Sequence, residues 1–253
     1  MIDILHIDCM EYMARQPDKS FDLAVVDPPY GVGSVTYMPH RRESTVGGAI
    51  DHYNIIIATL DMNQRPNMKH DVCNTHNTKT TLSHFGDTNI APPPEYFKEL
   101  FRVSKHQVIF GGNYFLLPPT RCFLVWRKTN VPEKFSMAMC EYIWTSFNAN
   151  AKSIDLSSLS GAQGQRFHPT QKPAKLYTWI YGMFCSPGDR VLDTHLGSGS
   201  SAIAAHDARL EFVGCEIDPE YHAAASERVE KHKAQPVLQV DHLTPPKQKD
   251  LPL

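Results

Sequence analysis

The sequence lacks several features that would place it in other functional classes. Its six cysteines form no Cys-x-x-Cys pair, which argues against a zinc site and against a disulfide framework. No apolar run approaches the roughly 20 residues that a membrane-spanning helix needs. The first residues, 1–6, lack a basic stretch followed by an apolar one, so no signal peptide is evident. We therefore expect a cytoplasmic protein with no metal and no membrane partner.

The chain also lacks an overall basic charge. Its 25 Lys and Arg residues against 27 Asp and Glu give a net charge of −2, whereas dedicated nucleic-acid binders are often basic. Residues 121–175 nevertheless carry eight Lys and Arg and only three acids, a local excess of 8 − 3 = 5 positive charges. Such a face suits phosphate contacts, and a merely solvated surface would give the same pattern.

Short apolar strands alternate with helical patterns along most of the 253 residues. This alternation predicts an α/β fold with a mostly parallel sheet. Residues 32–84 show no sustained period and predict a long insertion, while the Ser-, Ala- and Gly-rich residues 148–165 predict a loop. The predicted strands lie near residues 2–7, 21–26, 107–110, 122–126, 141–145, 190–193 and 211–218, and the predicted helices near 9–15, 95–103, 173–184, 202–208 and 221–233.

One apolar run, residues 21–26, ends directly in Asp27-Pro28-Pro29-Tyr30. A strand of this kind is typical of a parallel sheet, and open α/β sheets bind ligands at the carboxyl ends of their strands. The two prolines stiffen the turn and remove two N–H donors. Asp27 and the Pro28 carbonyl could accept the two hydrogens of a planar group's amine, and Tyr30 could stack on its ring. A simple strand-ending turn is the alternative interpretation.

A second apolar strand ends at Asp193 and runs into a glycine-rich turn. Glu216 follows Asp193 by 23 residues and ends the next predicted strand. This spacing suits a nucleotide site, because glycines let the backbone approach the ligand and the acid accepts the ribose hydroxyls. The turn lacks the third glycine of a dinucleotide fingerprint, which disfavours NAD and FAD. Its residues are Leu196, Gly197, Ser198 and Gly199.

These motifs together resemble those of the DNA amino-methyltransferases, which modify adenine N6 or cytosine N4. The tetrapeptide 27–30 matches the catalytic motif, residues 168–173 (His-Pro-Thr-Gln-Lys-Pro) match the motif before the cofactor strand, and residues 193–201 match the S-adenosylmethionine loop. Because the catalytic motif comes first, the chain resembles the circularly permuted group. The matches span most of residues 1–30 and 85–230. One departure is Thr194-His195, where the family commonly has Pro-Phe; His195 is then a wall residue or a cofactor contact.

The resemblance implies a seven-stranded, mostly parallel Rossmann-like sheet with one antiparallel strand and helices on both faces. It implies a single catalytic domain, 1–253, with the insertion at about 32–84 and a short target-recognition region at about 127–167. Double-stranded DNA is the implied partner, with the target base flipped out of the duplex. A homodimer and a cognate restriction endonuclease are further candidate partners that no residue identifies.

The resemblance also implies roles for individual residues. Adenine N6 is the expected target, with cytosine N4, RNA and a protein glutamine amide as alternatives. S-adenosylmethionine is the expected cofactor. The expected catalytic residues are Asp27, Pro28, Pro29 and Tyr30, and the expected cofactor-binding residues are Asp8, Thr170, Lys172, Asp193, Leu196, Gly197, Ser198, Gly199 and Glu216.

Overall fold

The protein is seen in a computed structural model, which describes residues 1–31, 90–135, 137–160, 167–168 and 170–235. The chain divides into two units, Met1–Val32 with Thr88–Leu253, and Gly33–Asp87. Every element below belongs to the first unit. The predicted insertion at 32–84 lies outside the described residues.

Eight strands and five α-helices make up the described part of the chain. The strands are β1 (Ile2–His6), β2 (Phe21–Val26), β3 (Ser104–Phe110), β4 (Phe123–Arg127), β5 (Cys140–Thr145), β6 (Lys152–Asp155), β7 (Arg190–Asp193) and β8 (Glu211–Glu216). The helices are α1 (Cys9–Ala14), α2 (Pro94–Val103), α3 (Ala174–Phe184), α4 (Ser200–Asp207) and α5 (Pro219–Lys233). Among these helices, none is long and apolar enough to cross a membrane.

Helix boundaries follow local chemistry. Helices α2 and α5 both begin with proline, whose missing N–H costs nothing in the first turn. The Asp218 side chain caps α5 by accepting hydrogen bonds from the backbone N–H groups of Glu220 and Tyr221. The last turn of α5 carries basic residues, which suit the negative end of the helix dipole.

All eight strands form one sheet in the order β1-β8-β7-β2-β3-β5-β4-β6. Strand β5 runs antiparallel to both neighbours, and every other pairing is parallel. The predicted α/β sheet with one antiparallel strand is confirmed. The count of seven strands was one too low, because β6 lies in the stretch predicted as a loop. It pairs only with β4 at the edge of the sheet, through backbone hydrogen bonds that need no apolar pattern.

Alternate residues of the central strands enter two separate cores. On β2, Leu23 and Val25 join the core that packs against α3, α4 and α5. Ala24 and Val26 join the core that packs against α1 and α2. Side chains of a strand point alternately to the two faces, so the sheet is covered by helices on both sides. The expectation of helices on both faces is confirmed.

The connections that leave β2 and β7 create a crevice between them. The two strands are neighbours, with Leu23 opposite Val191 and Ala24 opposite Leu192. From β2 the chain crosses one face through α2 to reach β3, and from β7 it crosses the opposite face through α4 to reach β8. Right-handed crossovers in opposite directions require this arrangement. Open α/β sheets bind ligands at such a switch point.

Gly31 and Ala91 lie side by side, at the two ends of the segment that is not described. Gly31 has a left-handed φ of 71°, and a Cβ added there would lie 2.8 Å from the Cβ of Ala91. Both the backbone conformation and the close approach require glycine here. The chain therefore leaves the sheet after β2 and returns to the same place before α2.

Candidate active site

Three of the sequence motifs converge on the β2–β7 crevice. The tetrapeptide 27–30 follows β2 directly, and the glycine turn follows β7. The segment before α3 brings Lys172 to Asp27, across 145 positions of sequence. The tetrapeptide 27–30 and the glycine turn therefore leave adjacent strand ends on the same edge of the sheet.

Asp27 is held from two sides. The Tyr30 hydroxyl donates a hydrogen bond to Asp27 Oδ1 at 2.7 Å, and the Lys172 ammonium donates to Asp27 Oδ2. The Asp27 side chain is only 17% exposed. An ionised carboxylate offers about four lone-pair positions, so acceptor capacity remains for a ligand. Sequence reasoning assigned Tyr30 a stacking role alone, and the structure adds a role for its hydroxyl.

Lys172 lies at the Asp27 carboxylate, although sequence reasoning placed it among the cofactor contacts. Its side chain is 6% exposed, and its Nζ lies 3.6 Å from Glu141 Oε2. Burial alone would lower the pKa of Lys172, but the charges of Asp27 and Glu141 raise it above its ordinary value. Lys172 is therefore a fixed cation here rather than a base.

Glu141 and Lys128 extend this cluster, and sequence reasoning missed both. Lys128 Nζ lies 2.7 Å from Glu141 Oε1, with the two side chains 10% and 19% exposed. Sequence reasoning counted Lys128 as part of a basic surface. The carboxylate of Glu141, in the mainly apolar strand Cys140–Thr145, was the signal that could have revealed the pair, because a buried charge requires a partner.

The Tyr30 ring packs between aromatic and glycine neighbours. The Tyr114 ring stacks on it, with centroids 4.8 Å apart and planes inclined by 15°. Gly111 has a left-handed φ of 64°, and a Cβ there would overlap the Tyr30 ring. Tyr114 is 45% exposed. A planar ligand that stacks on this face of Tyr30 must therefore displace Tyr114, which sequence reasoning did not single out.

Glu216 holds the glycine turn in shape. Its Oε2 accepts a hydrogen bond from the Gly197 N–H at 2.8 Å, and its Oε1 accepts one from the Asp218 N–H at 3.0 Å. Gly197 and Gly199 have left-handed φ angles of 52° and 74°. From α5, Arg228 donates to the Ser198 carbonyl at 2.7 Å. The turn is therefore fixed on both sides before any ligand binds.

Asp193 supports the same turn from beneath. Its side chain is buried and accepts hydrogen bonds from the Ser201 hydroxyl at 2.5 Å and from the His195 N–H at 3.0 Å. Burial raises the pKa of Asp193 to about 7, against the lowering effect of these two bonds. Asp193 thus shapes the backbone of the turn, and its burial disfavours the ionised form of its carboxyl group.

Thr194 and His195, which stand where the resemblance would place Pro-Phe, have a partner on α2. The buried Tyr96 hydroxyl lies 2.5 Å from Thr194 Oγ1, which lies 2.9 Å from His195 Nδ1. The Tyr96 and His195 rings meet edge to face, with centroids 5.4 Å apart. Burial lowers the pKa of His195 to about 4. A neutral imidazole packed on a tyrosine fits the wall role.

The remaining predicted residues surround the glycine turn. Asp8 caps α1, and the neighbouring Ile7 N–H bonds the Glu216 carbonyl at 3.1 Å. Leu196 is buried and bonds the Cys215 carbonyl. Thr170 Oγ1 lies 3.2 Å from His168 Nδ1, and a Cβ on Gly197 would lie 3.3 Å from the same ring. The residues expected to bind cofactor therefore gather here, with the exception of Lys172.

A model of the N6/N4 DNA methylase family matches residues 125–227 of the chain. This stretch contains Glu141, Lys172, the glycine turn and Glu216, the residues around which the crevice is built. Over these residues, about two fifths of the chain, the protein is similar to N6/N4 DNA methylases. Assignment to the circularly permuted group depends on motif order alone and stays a prediction.

Two solved structures and one sequence relative are similar to this protein. It is 23% identical over 263 residues to the type II methyltransferase M.HinfI of Haemophilus influenzae, covering 92% of this chain and 69% of that protein. The M1.HpyAVI–SAM complex superposes with a TM-score of 0.51 at 19% identity, covering 90% and 99% of the two chains. The cytosine-N4-specific PvuII DNA methyltransferase superposes with a TM-score of 0.54 at 16% identity, covering 91% and 89%. These superpositions show a shared fold.

The raised pKa of Asp193 predicts a pH-dependent stability difference. A carboxyl whose pKa is higher in the folded state contributes stability that is complete below its ordinary pKa of 3.8 and is lost as pH rises through about 7. Asp193→Asn removes this titration. The free energy of unfolding of the variant, relative to the unmodified protein, should therefore rise between pH 5 and pH 8 by about 1–4 kcal/mol.

Urea denaturation of both proteins at the two pH values measures this difference, because the other titrating groups cancel. Ser201→Ala is the matched control, since it removes a bond that favours the ionised form. That variant should lose more stability at pH 8 than at pH 5. Equal stability differences at both pH values for Asp193→Asn would contradict the prediction.

Proposed function

We propose that this protein is a DNA methyltransferase that transfers a methyl group from S-adenosylmethionine to N6 of adenine in double-stranded DNA. The observation that carries the proposal is the pairing of Asp27 with Tyr30 and Lys172 at the end of β2, beside the glycine turn that ends β7. One strand end offers an acceptor for an amine hydrogen, and its neighbour offers a glycine turn and an acid. A methyl donor and an amine would meet in the crevice between them.

The residues around the glycine turn fit S-adenosylmethionine. Left-handed Gly197 carries no side chain that would hinder the approach of a ligand to the backbone, whereas a Cβ on Gly199 would lie 3.2 Å from Val229 on α5. Glu216 ends β8 beside the turn, where a carboxylate can accept the two ribose hydroxyls. Asp8 follows the adjacent β1 and would face the adenine end, with Thr170 on the other side of the turn. When bound, S-adenosylmethionine supplies an electrophilic methyl group on a positively charged sulfur.

The tetrapeptide would orient the target amine. Asp27 and the Pro28 carbonyl accept its two hydrogens, which directs the nitrogen lone pair away from them and toward the methyl group. The attacking nitrogen gains positive character, and the Asp27 carboxylate stabilises that charge more than a hydroxyl would. Pro28 and Pro29 keep the turn stiff. Catalysis of this kind depends on position and electrostatics, with no covalent intermediate on the protein.

The choice of adenine depends on Asp27 and on the resemblance to the amino-methyltransferases. In that family Asp before Pro-Pro-Tyr goes most often with adenine. The carboxylate serves a cytosine amine by the same chemistry, so cytosine N4 is the second candidate. The amine of either base lies inside the duplex, and the base must be flipped out to reach Asp27. It would then replace Tyr114 on the face of Tyr30.

Ion pairing within the protein reduces the number of basic residues in 121–175 that are candidates for binding DNA phosphates. Of the basic residues in 121–175, Lys128 and Lys172 are buried in ion pairs, and Arg127 pairs with Asp155. The remaining cations of that segment are the candidates for phosphate contacts. A target-recognition region at 127–167, a homodimer and a restriction partner stay predictions.

Asp27→Asn and Asp27→Ala should abolish methyl transfer, because neither side chain stabilises positive charge on the amine. Both variants should keep their affinity for S-adenosylmethionine, since Asp27 lies on the amine side of the crevice. The assay is transfer from labelled cofactor to DNA that lacks base methylation, followed by digestion and mass spectrometry of the nucleosides. We expect N6-methyldeoxyadenosine as the product.

Asp207→Asn, an exposed acid on α4, is the control and should remain active. N4-methyldeoxycytidine as the sole product would refute the adenine assignment and leave the mechanism standing. Label that enters only RNA or protein, offered in the same assay, would refute DNA as the substrate.

Tyr30→Phe should reduce the rate of methyl transfer without abolishing it. The ring remains for stacking, but the hydrogen bond to Asp27 Oδ1 is lost. A hydrogen bond to a charged group contributes roughly 1.5–3 kcal/mol, so a decrease of about ten- to a hundredfold in kcat is expected if it is fully used in the transition state. Tyr30→Ala should lose a further stacking contribution of roughly 1–3 kcal/mol. Equal activity of Tyr30→Phe and unmodified protein in single-turnover assays would show that the hydroxyl does not position Asp27.

Glu216→Ala should weaken binding of S-adenosylmethionine by roughly 1.5–3 kcal/mol, because it removes charge-assisted hydrogen bonds. Glu216→Gln keeps an oxygen that can accept the Gly197 N–H, and it separates the shape of the turn from the charge. Isothermal calorimetry measures both, with Glu211→Gln at the exposed start of β8 as the control. Unchanged affinity in Glu216→Ala, or tight binding of NAD in place of S-adenosylmethionine, would overturn the cofactor assignment.

A further inference from the structure

We propose that Glu141 is a positioning residue that controls, through Lys172, the negative charge that Asp27 presents to the target amine. Lys128 in turn holds Glu141. The inference rests on the proposed methyl transfer at Asp27, and it assigns a role to two residues outside the tetrapeptide and the glycine turn.

The four groups form a continuous chain of alternating charge. Lys128 Nζ lies 2.7 Å from Glu141 Oε1, Glu141 Oε2 lies 3.6 Å from Lys172 Nζ, and Lys172 bonds Asp27 Oδ2. The members come from four separate places in the fold: the end of β4, the start of β5, the segment before α3 and the end of β2. Register brings the first two together, since β4 and β5 pair antiparallel with Arg127 opposite Cys140.

The chain of charges is mostly shielded from water. All four side chains are less than one-fifth exposed. The Lys172 ammonium also lies 4.8 Å from the centre of the Phe110 ring and 5.9 Å from that of Tyr30. Screening by solvent is weak at such sites. A change of charge at Lys128 therefore alters the electrostatic potential at Asp27.

Lys172 is shared between two carboxylates, and this sharing is the basis of the inference. If Lys172 were paired with Asp27 alone, its charge would largely cancel that of the carboxylate, and the attacking amine would gain little stabilisation. The negative charge of Glu141 offsets part of the positive charge of Lys172, so less of it cancels the charge of Asp27. Lys128 weakens this influence of Glu141, because it forms an ion pair with the other oxygen of Glu141. The sum of the four charges is zero.

Glu141 Oε2 has a further property that fits this role. It is buried, and its ammonium neighbour lies beyond hydrogen-bond distance. A buried carboxylate oxygen without a hydrogen bond is costly. The oxygen thus acts on Lys172 through charge across a short gap, and the Lys172 hydrogen bond is left to Asp27.

Other titratable groups also face the cluster and must be separated from it in any pH experiment. His168 and Asp193 interact electrostatically with Asp27, and so does Tyr177 on α3. Variants that change only Glu141 or Lys128 leave all of these groups in place. The groups facing Asp27 from its neighbouring elements are Tyr30, Glu141, His168, Lys172, Tyr177 and Asp193.

Two single variants should move the pH dependence of kcat in opposite directions. Glu141→Gln removes a negative charge, so the acid limb should shift to lower pH and the plateau of kcat should fall. Lys128→Met removes a positive charge and keeps the stem over Trp126, so the acid limb should shift to higher pH. Shifts of roughly 0.5–2 pH units are expected for charges at these distances. The KM for S-adenosylmethionine should not change in either variant.

The double variant Glu141→Gln with Lys128→Met restores a net charge of zero and should bring the acid limb back toward its original position. Glu227→Gln, on the exposed face of α5, makes the same chemical change far from Asp27 and should shift nothing. A purely structural role would lower activity in both single variants without opposite shifts. If Glu141→Gln does not fold, the direction of the Lys128→Met shift still decides the matter.

A second measurement needs neither activity nor ligand. The titration of the Asp27 carboxyl can be followed by carbon NMR, with its signal identified from its absence in Asp27→Asn. The same opposite shifts are expected for Glu141→Gln and Lys128→Met. Opposite shifts in a protein that transfers no methyl group would refute the proposed function and support the charge coupling. Active protein whose Asp27 signal and acid limb do not move in either single variant would overturn the inference.

Discussion

Right-handed crossovers fix the side of the sheet on which the chain leaves β2 and β7. Because β2 continues to β3 and β7 continues to β8 on its other flank, the two connections must cover opposite faces. The crevice between them is therefore a product of strand order, before any catalytic residue is considered. Asp27 and Asp193 lie at this crevice because each ends its strand there. The candidate active site therefore lies at the carboxyl ends of these two strands.

The buried ammonium of Lys172 links this crevice to strand β5. Lys172 is surrounded by Asp27, Glu141 and aromatic rings, and a lysine in such a place is tolerated only with counter-charges. Because Lys172 pairs with both carboxylates, it links the segment before α3 to the end of β2 and to β5. The contact of Lys172 with Asp27, which joins these parts of the fold, also orients the carboxylate that would accept the amine hydrogens. The motif at residues 168–173 therefore contributes to both sides of the crevice.

Periodicity and turn chemistry were enough to predict most of the strands and helices, because central strands are apolar throughout and helix starts carry prolines or caps. Strand β6, Lys152–Asp155, gave no such signal, since an edge strand can be polar and still pair. The site residues adjacent to their motifs, such as Asp27 and Glu216, could also be found. Glu141 and Tyr96 could not, because Glu141 meets Lys172 only in the folded sheet and Tyr96 meets Thr194 across 98 positions of sequence.

Gly31 and Ala91 bear on how such a chain can vary. Because the two residues lie against each other, any chain that connects them must begin and end at the same place on the sheet. The entropy of closing a loop grows only with the logarithm of its length, by about 0.6 kcal/mol for each doubling. The sheet would therefore tolerate intervening segments of very different lengths at nearly constant stability. The tetrapeptide 27–30 stands immediately before a position where chain can be gained, lost or exchanged without disturbing the crevice.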